Sequence, residues 1–321
     1  MANEPVDSTE AIDDDWLKPP ASTLGLHQVY PDPKLKSKPI IDVVFVHGLG
    51  GDSYSTWTKD KSLWIRDLLP QSELFQNARI MTFGYDARAF LTPFASQYSH
   101  GRVFVFAEAL LSDLKDKRAA AAAKKRPIIF VAHSLGGIVV KSALRHAHML
   151  PGLYGDILQS TNAIVFFGTP HQGSDLAVWA SFLGGLGRVV RLRNTRVVDD
   201  LKRWSNPLVE LTTAFAEMWE RFDITTFYET KKTHGVMMVP EGAAKVGQKN
   251  EQARALLADH VGVCKFSVDD PNWVSVQGRL NAVAEKIYEQ LEVETNGVKG
   301  DSIEDLEQRL KNIKGLEPPS S

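Results

Sequence analysis

The stretch Ile128 to Gly137 reads I-I-F-V-A-H-S-L-G-G. An apolar run ends in His133-Ser134-Leu135-Gly136 and passes straight into the apolar helical pattern of Ile138 to Met149. This is the layout of a nucleophile elbow, G-x-S-x-G, with Ala132 in place of the first glycine. Such a turn holds a serine hydroxyl at the tip of a strand. Small residues two positions to either side are expected to keep neighbouring side chains from colliding with it. The helix that follows directs backbone N–H groups and the positive end of its dipole at an oxyanion forming on a carbonyl. The same residues also fit a plain strand-to-helix turn capped by a serine.

A second cluster, His47-Gly48-Leu49-Gly50-Gly51, directly follows the apolar run Ile41 to Val46. In a hydrolase of this layout the loop after an early strand gives one oxyanion donor, and the residue after the nucleophile gives the other. The backbone N–H groups of Leu49 and Leu135 are the expected donors, with His47, Gly48 and His133 lining the site. A dinucleotide site is a poor fit, because Gly48-Leu49-Gly50 is followed by Gly51-Asp52-Ser53 and the third glycine is missing. A third motif, Phe166-Phe167-Gly168-Thr169-Pro170-His171-Gln172-Gly173-Ser174, ends a later strand. His171 either lines the site or makes a structural hydrogen bond to a neighbouring loop.

Positioning these residues requires strands that alternate with helices. Apolar runs at Ile41–Val46, Arg79–Phe83, Ile128–Ala132, Ala163–Phe167, Ile224–Tyr228 and Val236–Val239 read as strands, the first of them buried on both faces. Helical patterns lie at Leu63–Leu69, Val103–Leu114, Ile138–Met149, Leu208–Arg221 and Val274–Leu291. The alternation predicts an α/β fold with a mostly parallel, doubly wound sheet and helices on both faces. Residues 1–37, with Asp13, Asp14, Asp15 and four prolines from Pro19 to Pro33, read as an irregular tail. Residues 38–295 form the domain, and 296–321 a C-terminal linker with a short helix. Residues 174–207, carrying Trp179, Trp204 and a run of arginines, break the alternation and read as a lid-like insertion. Lys115 to Arg126 reads as a solvated helix end, with contact to anionic lipid head groups as the alternative.

Composition narrows the chemistry further. The 321 residues carry a net charge of −2, which gives no electrostatic case for nucleic acid. The single cysteine, Cys264, excludes an internal disulfide framework and a Cys-rich zinc site, and it is expected as a buried small residue. No metal or organic cofactor is expected. With neither a targeting peptide nor an apolar run of about 18–20 residues, the expected setting is the cytoplasm.

The motifs V-F-V-H-G-L-G-G, A-H-S-L-G-G and F-F-G-T-P-H-Q-G-S occur here in one order. In this the chain resembles the lipase-like α/β-hydrolases of the SERAC1 and DUF676 type. It is most like the hydrolase domains at the amino end of fungal NOD-like (NACHT) receptors, over roughly Ile40 to Tyr288. A serine nucleophile needs an acid and then a histidine later in the chain. The family's F-Y-E-T pattern places the acid at Glu229, and its A-D-H-x-x-x-C-K-F pattern places the base at His260. Asp259 and His234 are the rivals. The resemblance implies an α/β-hydrolase fold and cleavage of carboxylic esters, with lipid or other hydrophobic acyl esters as substrates. It also implies alternatives: an effector module with little catalysis, joined to NACHT-type domains or self-oligomerising, or an acyltransferase. Peripheral contact with a mitochondrial or endoplasmic reticulum membrane belongs to the same set of expectations.

Overall fold

The computed structural model describes residues 17–35, 37–87, 99–171 and 205–297. The chain opens with β1 (Gly25–Tyr30) and β2 (Ile41–Val46), then a hairpin of β3 (Thr58–Lys59) and β4 (Ser62–Leu63). The short helices α1 (Trp64–Asp67) and α2 (Glu73–Gln76) lead to β5 (Ala78–Gly84). Next come α3 (Ser99–Lys117), α4 (Ala121–Lys124), β6 (Ile128–His133), α5 (Leu135–Met149), α6 (Pro151–Ser160) and β7 (Thr161–Phe167). The chain continues through α7 (Ser205–Ala216), β8 (Asp223–Glu229), α8 (Glu241–Ala244), β9 (Glu251–Leu256) and α9 (Pro271–Gly297).

Seven strands form one sheet in the order β1-β5-β2-β6-β7-β8-β9, parallel except for β1. Every residue of β2 and β6 is buried, as expected of central parallel strands covered on both faces. One face packs on α3, α5, α6 and α7 through residues such as Val44, Phe130, Ile138 and Phe215. The other packs on α1 and α9 through Phe45, Trp64, Phe167 and Leu280. After β2 the chain moves to one side of it to form β5 and then to the other side to form β6. The carboxyl ends of β2 and β6 therefore lie side by side, with Val46 paired to Ala132, at a topological switch point where α/β sheets place their ligands.

Three expectations need correction. The segment read as irregular tail contains β1, whose Leu26 and Val29 are buried and which pairs antiparallel with β5. An edge strand needs only one ladder, and the prolines fall outside it. Val236–Val239 is not a strand; only an isolated bridge joins Thr233 to Val236. The last strand is instead β9, E-Q-A-R-A-L, which has no apolar run because it sits at the sheet edge and buries only Leu256. Finally, Lys115 to Arg126 is not merely solvated, since Arg118 is fully buried. The insertion 174–207 falls outside the described residues except where it enters α7, and 298–321 lies outside them altogether.

Arg118 explains an acidic residue inside a buried strand. The Asp42 carboxylate, wholly inaccessible on β2, accepts from Arg79 at 2.8 and 2.9 Å, from Arg126 at 3.0 Å and from Arg118. Arg118 also donates to the carbonyls of Lys124 and Arg126, at 2.9 and 2.8 Å. One carboxylate thus ties β5 and the α3–α4 connection to the base of β2. Removing it strands buried positive charge, which costs about 3–5 kcal/mol. Asp42→Ala should lower the unfolding free energy by about that amount in urea melts; a loss below about 1 kcal/mol would show that the arginines find water instead.

Candidate active site

Ser134 stands between β6 and α5 with φ +53° and ψ −122°, a conformation that L residues rarely adopt. The turn is held from several directions. Its N–H donates to the Phe167 carbonyl at 2.8 Å, continuing the β6–β7 ladder past the strand end. Two residues on, a Cβ at Gly136 would lie 2.3 Å from the Val46 carbonyl oxygen and 2.4 Å from that of His47. The small residue is thus required by the main chain at the end of β2, a neighbour that the spacing around the serine does not name. Ala132, at the other small position, is fully buried within β6.

The serine hydroxyl meets His260 at 2.9 Å between Oγ and Nε2, and His260 Nδ1 meets Glu229 Oε2 at 3.1 Å. All three side chains are at most 2% exposed. A proton on Nδ1 donates to the carboxylate and leaves the Nε2 lone pair facing the hydroxyl. Glu229 closes β8, and its second oxygen accepts the Val239 N–H at 2.7 Å. His260 lies on the loop between β9 and α9, its own N–H donating to Thr233 Oγ1 at 2.9 Å. The rivals are occupied differently: Asp259 accepts the Gly262 N–H at 2.8 Å, and His234 sits in a turn with φ +48°.

The flanking histidines have their ring protons assigned by their partners. His133 Nε2 faces the His260 carbonyl at 2.8 Å, so it carries the proton and donates. Burial, reinforced by His260, pushes its pKa down to about 3. His47 Nε2 accepts the Tyr85 N–H at 3.2 Å, so Nδ1–H donates to the Gly48 carbonyl at 2.9 Å. Burial likewise holds His47 below the ordinary histidine range. The Gly51 N–H reaches the same Gly48 oxygen at 3.3 Å. The peptide is trans, so the Leu49 N–H points away from that clamped carbonyl. A Cβ at Gly48 would come within 2.8 Å of Ser134 Cβ, which places this loop against the serine.

His171 is 4% exposed, with its ring against Phe166 and Trp219 at 4.4 and 5.5 Å. Neither of its ring nitrogens has a partner among the described residues, and its main-chain N–H holds the Ala243 carbonyl at 2.8 Å. Cys264 is buried, and desolvation pushes its thiol up to about 12, as suits a packing residue. Sequence reasoning did not anticipate Thr169, Thr233, Val239 or Lys141. Val239 acts through its backbone, which leaves no trace in residue type. Thr169 was within reach, since it lies in the motif that ends β7.

An oriented Ser–His–carboxylate chain of this kind can deprotonate a hydroxyl for attack on a carbonyl carbon. The sequence model of the Alpha/beta hydrolase family matches residues 43–263. The chain belongs to that family. It is also similar to Protein SERAC1 of Danio rerio, 29% identical over 267 residues that cover 75% of this chain and 38% of that protein. Protein SERAC1 of Homo sapiens is 25% identical over 288 residues, covering 84% and 42%. The chain thus spans about two fifths of the length of these relatives. Among solved structures, Bacillus licheniformis lipase BlEst2 aligns at 17% identity with a TM-score of 0.46, covering 78% of this chain and 97% of that one.

Behind the elbow, fully buried Lys141 donates from Nζ to the Pro170 carbonyl at 3.1 Å and lies over Phe166 and Trp219 at 5.8 and 5.6 Å. Desolvation lowers its pKa from 10.5 to about 7. Between those values the unfolded chain binds a proton that the folded chain does not, so raising the pH relieves a cost of folding. Lys141→Met should therefore gain in melting temperature over the wild type at pH 7 and below, and the gain should shrink steadily towards pH 10. A gap that stays constant over this range would show that Lys141 remains charged in the fold.

Proposed function

We propose that the chain is a serine hydrolase that cleaves carboxylic esters through an acyl-enzyme. The observation that carries the reading is the continuous contact from Ser134 Oγ to His260 Nε2 and from His260 Nδ1 to Glu229 Oε2, at 2.9 and 3.1 Å, in a buried site. In this reading His260 takes the Ser134 proton as Oγ attacks the ester carbonyl carbon. Glu229 holds the imidazole in the required tautomer and stabilises the imidazolium that forms. The N–H groups of Leu49 and Leu135 bind the carbonyl oxygen as it becomes an oxyanion. The C–O bond to the alcohol breaks, and the alcohol leaves with the proton held on His260. Water, deprotonated by the same imidazole, then attacks the acyl-enzyme and releases the acid with Ser134 restored.

Buried His47 and His133 support the assignment of a single base. Each has one ring nitrogen donating to a carbonyl, and each is held towards its neutral form. A module that served only to assemble with partners would need neither the strained serine nor the aligned imidazole. Hydrophobic acyl esters are the proposed substrates, on the strength of the tryptophans and leucines in residues 174–207.

Stopped-flow hydrolysis of p-nitrophenyl esters of graded chain length tests this reading. The wild type should show a burst of nitrophenol and favour the longer acyl chains. Ser134→Ala and His260→Ala should abolish the burst and leave at most ~10³–10⁴-fold acceleration over water. Glu229→Gln should lower kcat by about 10⁴ with KM little changed. Turnover by Ser134→Ala at the wild-type rate would overturn the assignment.

A further inference from the structure

The third sequence motif has no role in the steps above, yet each of its residues from Gly168 to His171 is tied to a different part of the fold. The Gly168 N–H donates to the Phe227 carbonyl at 2.8 Å, and Thr169 Oγ1 donates to the Ser134 carbonyl at 3.0 Å. The Pro170 carbonyl accepts from Lys141 at 3.1 Å, and the His171 N–H donates to Ala243 at 2.8 Å. Four consecutive residues thus reach β8, the nucleophile, α5 and α8. The threonine hydroxyl is delivered to one particular atom.

That atom is the carbonyl oxygen of the Ser134–Leu135 peptide, whose other end is the Leu135 N–H. In a trans peptide the two point in opposite directions, so fixing the carbonyl aims the N–H. The Gly137 N–H reaches the same oxygen at 3.1 Å. Donors on the carbonyl also polarise the peptide and strengthen the N–H as a donor. Thr169 is wholly buried, and a Cβ at Gly137 would come within 2.4 Å of its Oγ1. The tandem glycines after the nucleophile thus divide their work: Gly136 admits the main chain of β2, and Gly137 admits Thr169.

We infer that Thr169 is a positioning residue that sets the Leu135 half of the oxyanion hole through the Ser134 carbonyl. The inference rests on the hydrolase reading above and extends it. His47 makes the matching contact on the other half, through the Gly48 carbonyl.

The test compares Thr169→Val, which keeps the shape and loses the donor, with Thr169→Ser, which keeps the donor. Melting temperatures, p-nitrophenyl ester kinetics and inhibition by an alkyl trifluoromethyl ketone, which binds as a tetrahedral oxyanion, are measured on both. The expected result is a fall in kcat of about 10-fold for Thr169→Val with KM within about twofold, a fraction of what a whole donor is worth. Ketone affinity should fall in parallel, and Thr169→Ser should stay near the wild type. If the valine variant does not fold, Thr169→Ala is measured in its place. An active wild type whose valine variant keeps its kcat and ketone affinity would overturn the role of Thr169 alone. Equal losses in the serine and valine variants would also overturn it, by showing that packing matters and not the hydroxyl. A folded wild type with no turnover would overturn the hydrolase reading, and the role of Thr169 with it.

Discussion

The backbone of Ser134 is the constraint around which the other parts are arranged. A non-glycine residue at φ +53° and ψ −122° costs of order 1–3 kcal/mol and persists only where its surroundings over-determine it. Here the surroundings are specific. The Phe167 carbonyl holds its N–H, Thr169 and Gly137 hold its carbonyl, and Gly136 lets α5 start against the main chain of β2. Each contact requires a neighbouring strand to end at a set level. The parallel register of β2, β6 and β7 supplies those levels, pairing Val46 with Ala132 and Ala132 with Phe166. The ion cluster around Asp42 works at the opposite end of β2, so the strand that carries the glycine loop is held at both ends.

Electrostatics narrow the site in a second way. His47, His133, His171 and His260 are all buried close to the elbow or its supporting loop. His260 has a carboxylate on one nitrogen and a hydroxyl on the other. His133 spends its ring proton on the His260 carbonyl, His47 spends its own on the Gly48 carbonyl, and His171 sits between aromatic rings. Desolvation moves those three towards the neutral form, which keeps extra positive charge away from the His260 imidazole. They act as structural donors and packing groups, and among these four histidines His260 alone is set between a carboxylate and a hydroxyl.

Much of this was legible in the sequence, for physical reasons. Central parallel strands are buried on both faces, so β2, β6 and β7 announce themselves as apolar runs. The elbow and the glycine loop are legible because close approach of main chain restricts residue type at Gly48 and Gly136. Glu229 and His260 came from motif resemblance rather than from periodicity, and the structure places both within hydrogen-bonding distance of one chain of contacts. The edge strands escaped notice, since β1 buries only Leu26 and Val29, β9 buries only Leu256, and both mix polar with apolar residues. The nearest obstacle at Gly136 belongs to the end of β2, a strand distant in sequence, so no local pattern names it. Contacts such as Thr169 on the Ser134 carbonyl, or Val239 N–H on Glu229, depend on where loops cross in space, and no local pattern encodes that.

The most direct measurement is intact-mass and peptide mapping after exposure to a fluorophosphonate, which phosphonylates only a serine whose hydroxyl is activated by a base. The wild type should gain one phosphonyl group, carried on the peptide that contains Ser134, and His260→Ala should gain none while remaining folded. A folded wild type that takes up no label, or takes it up equally without His260, would contradict the assignment of Ser134 as a nucleophile driven by His260.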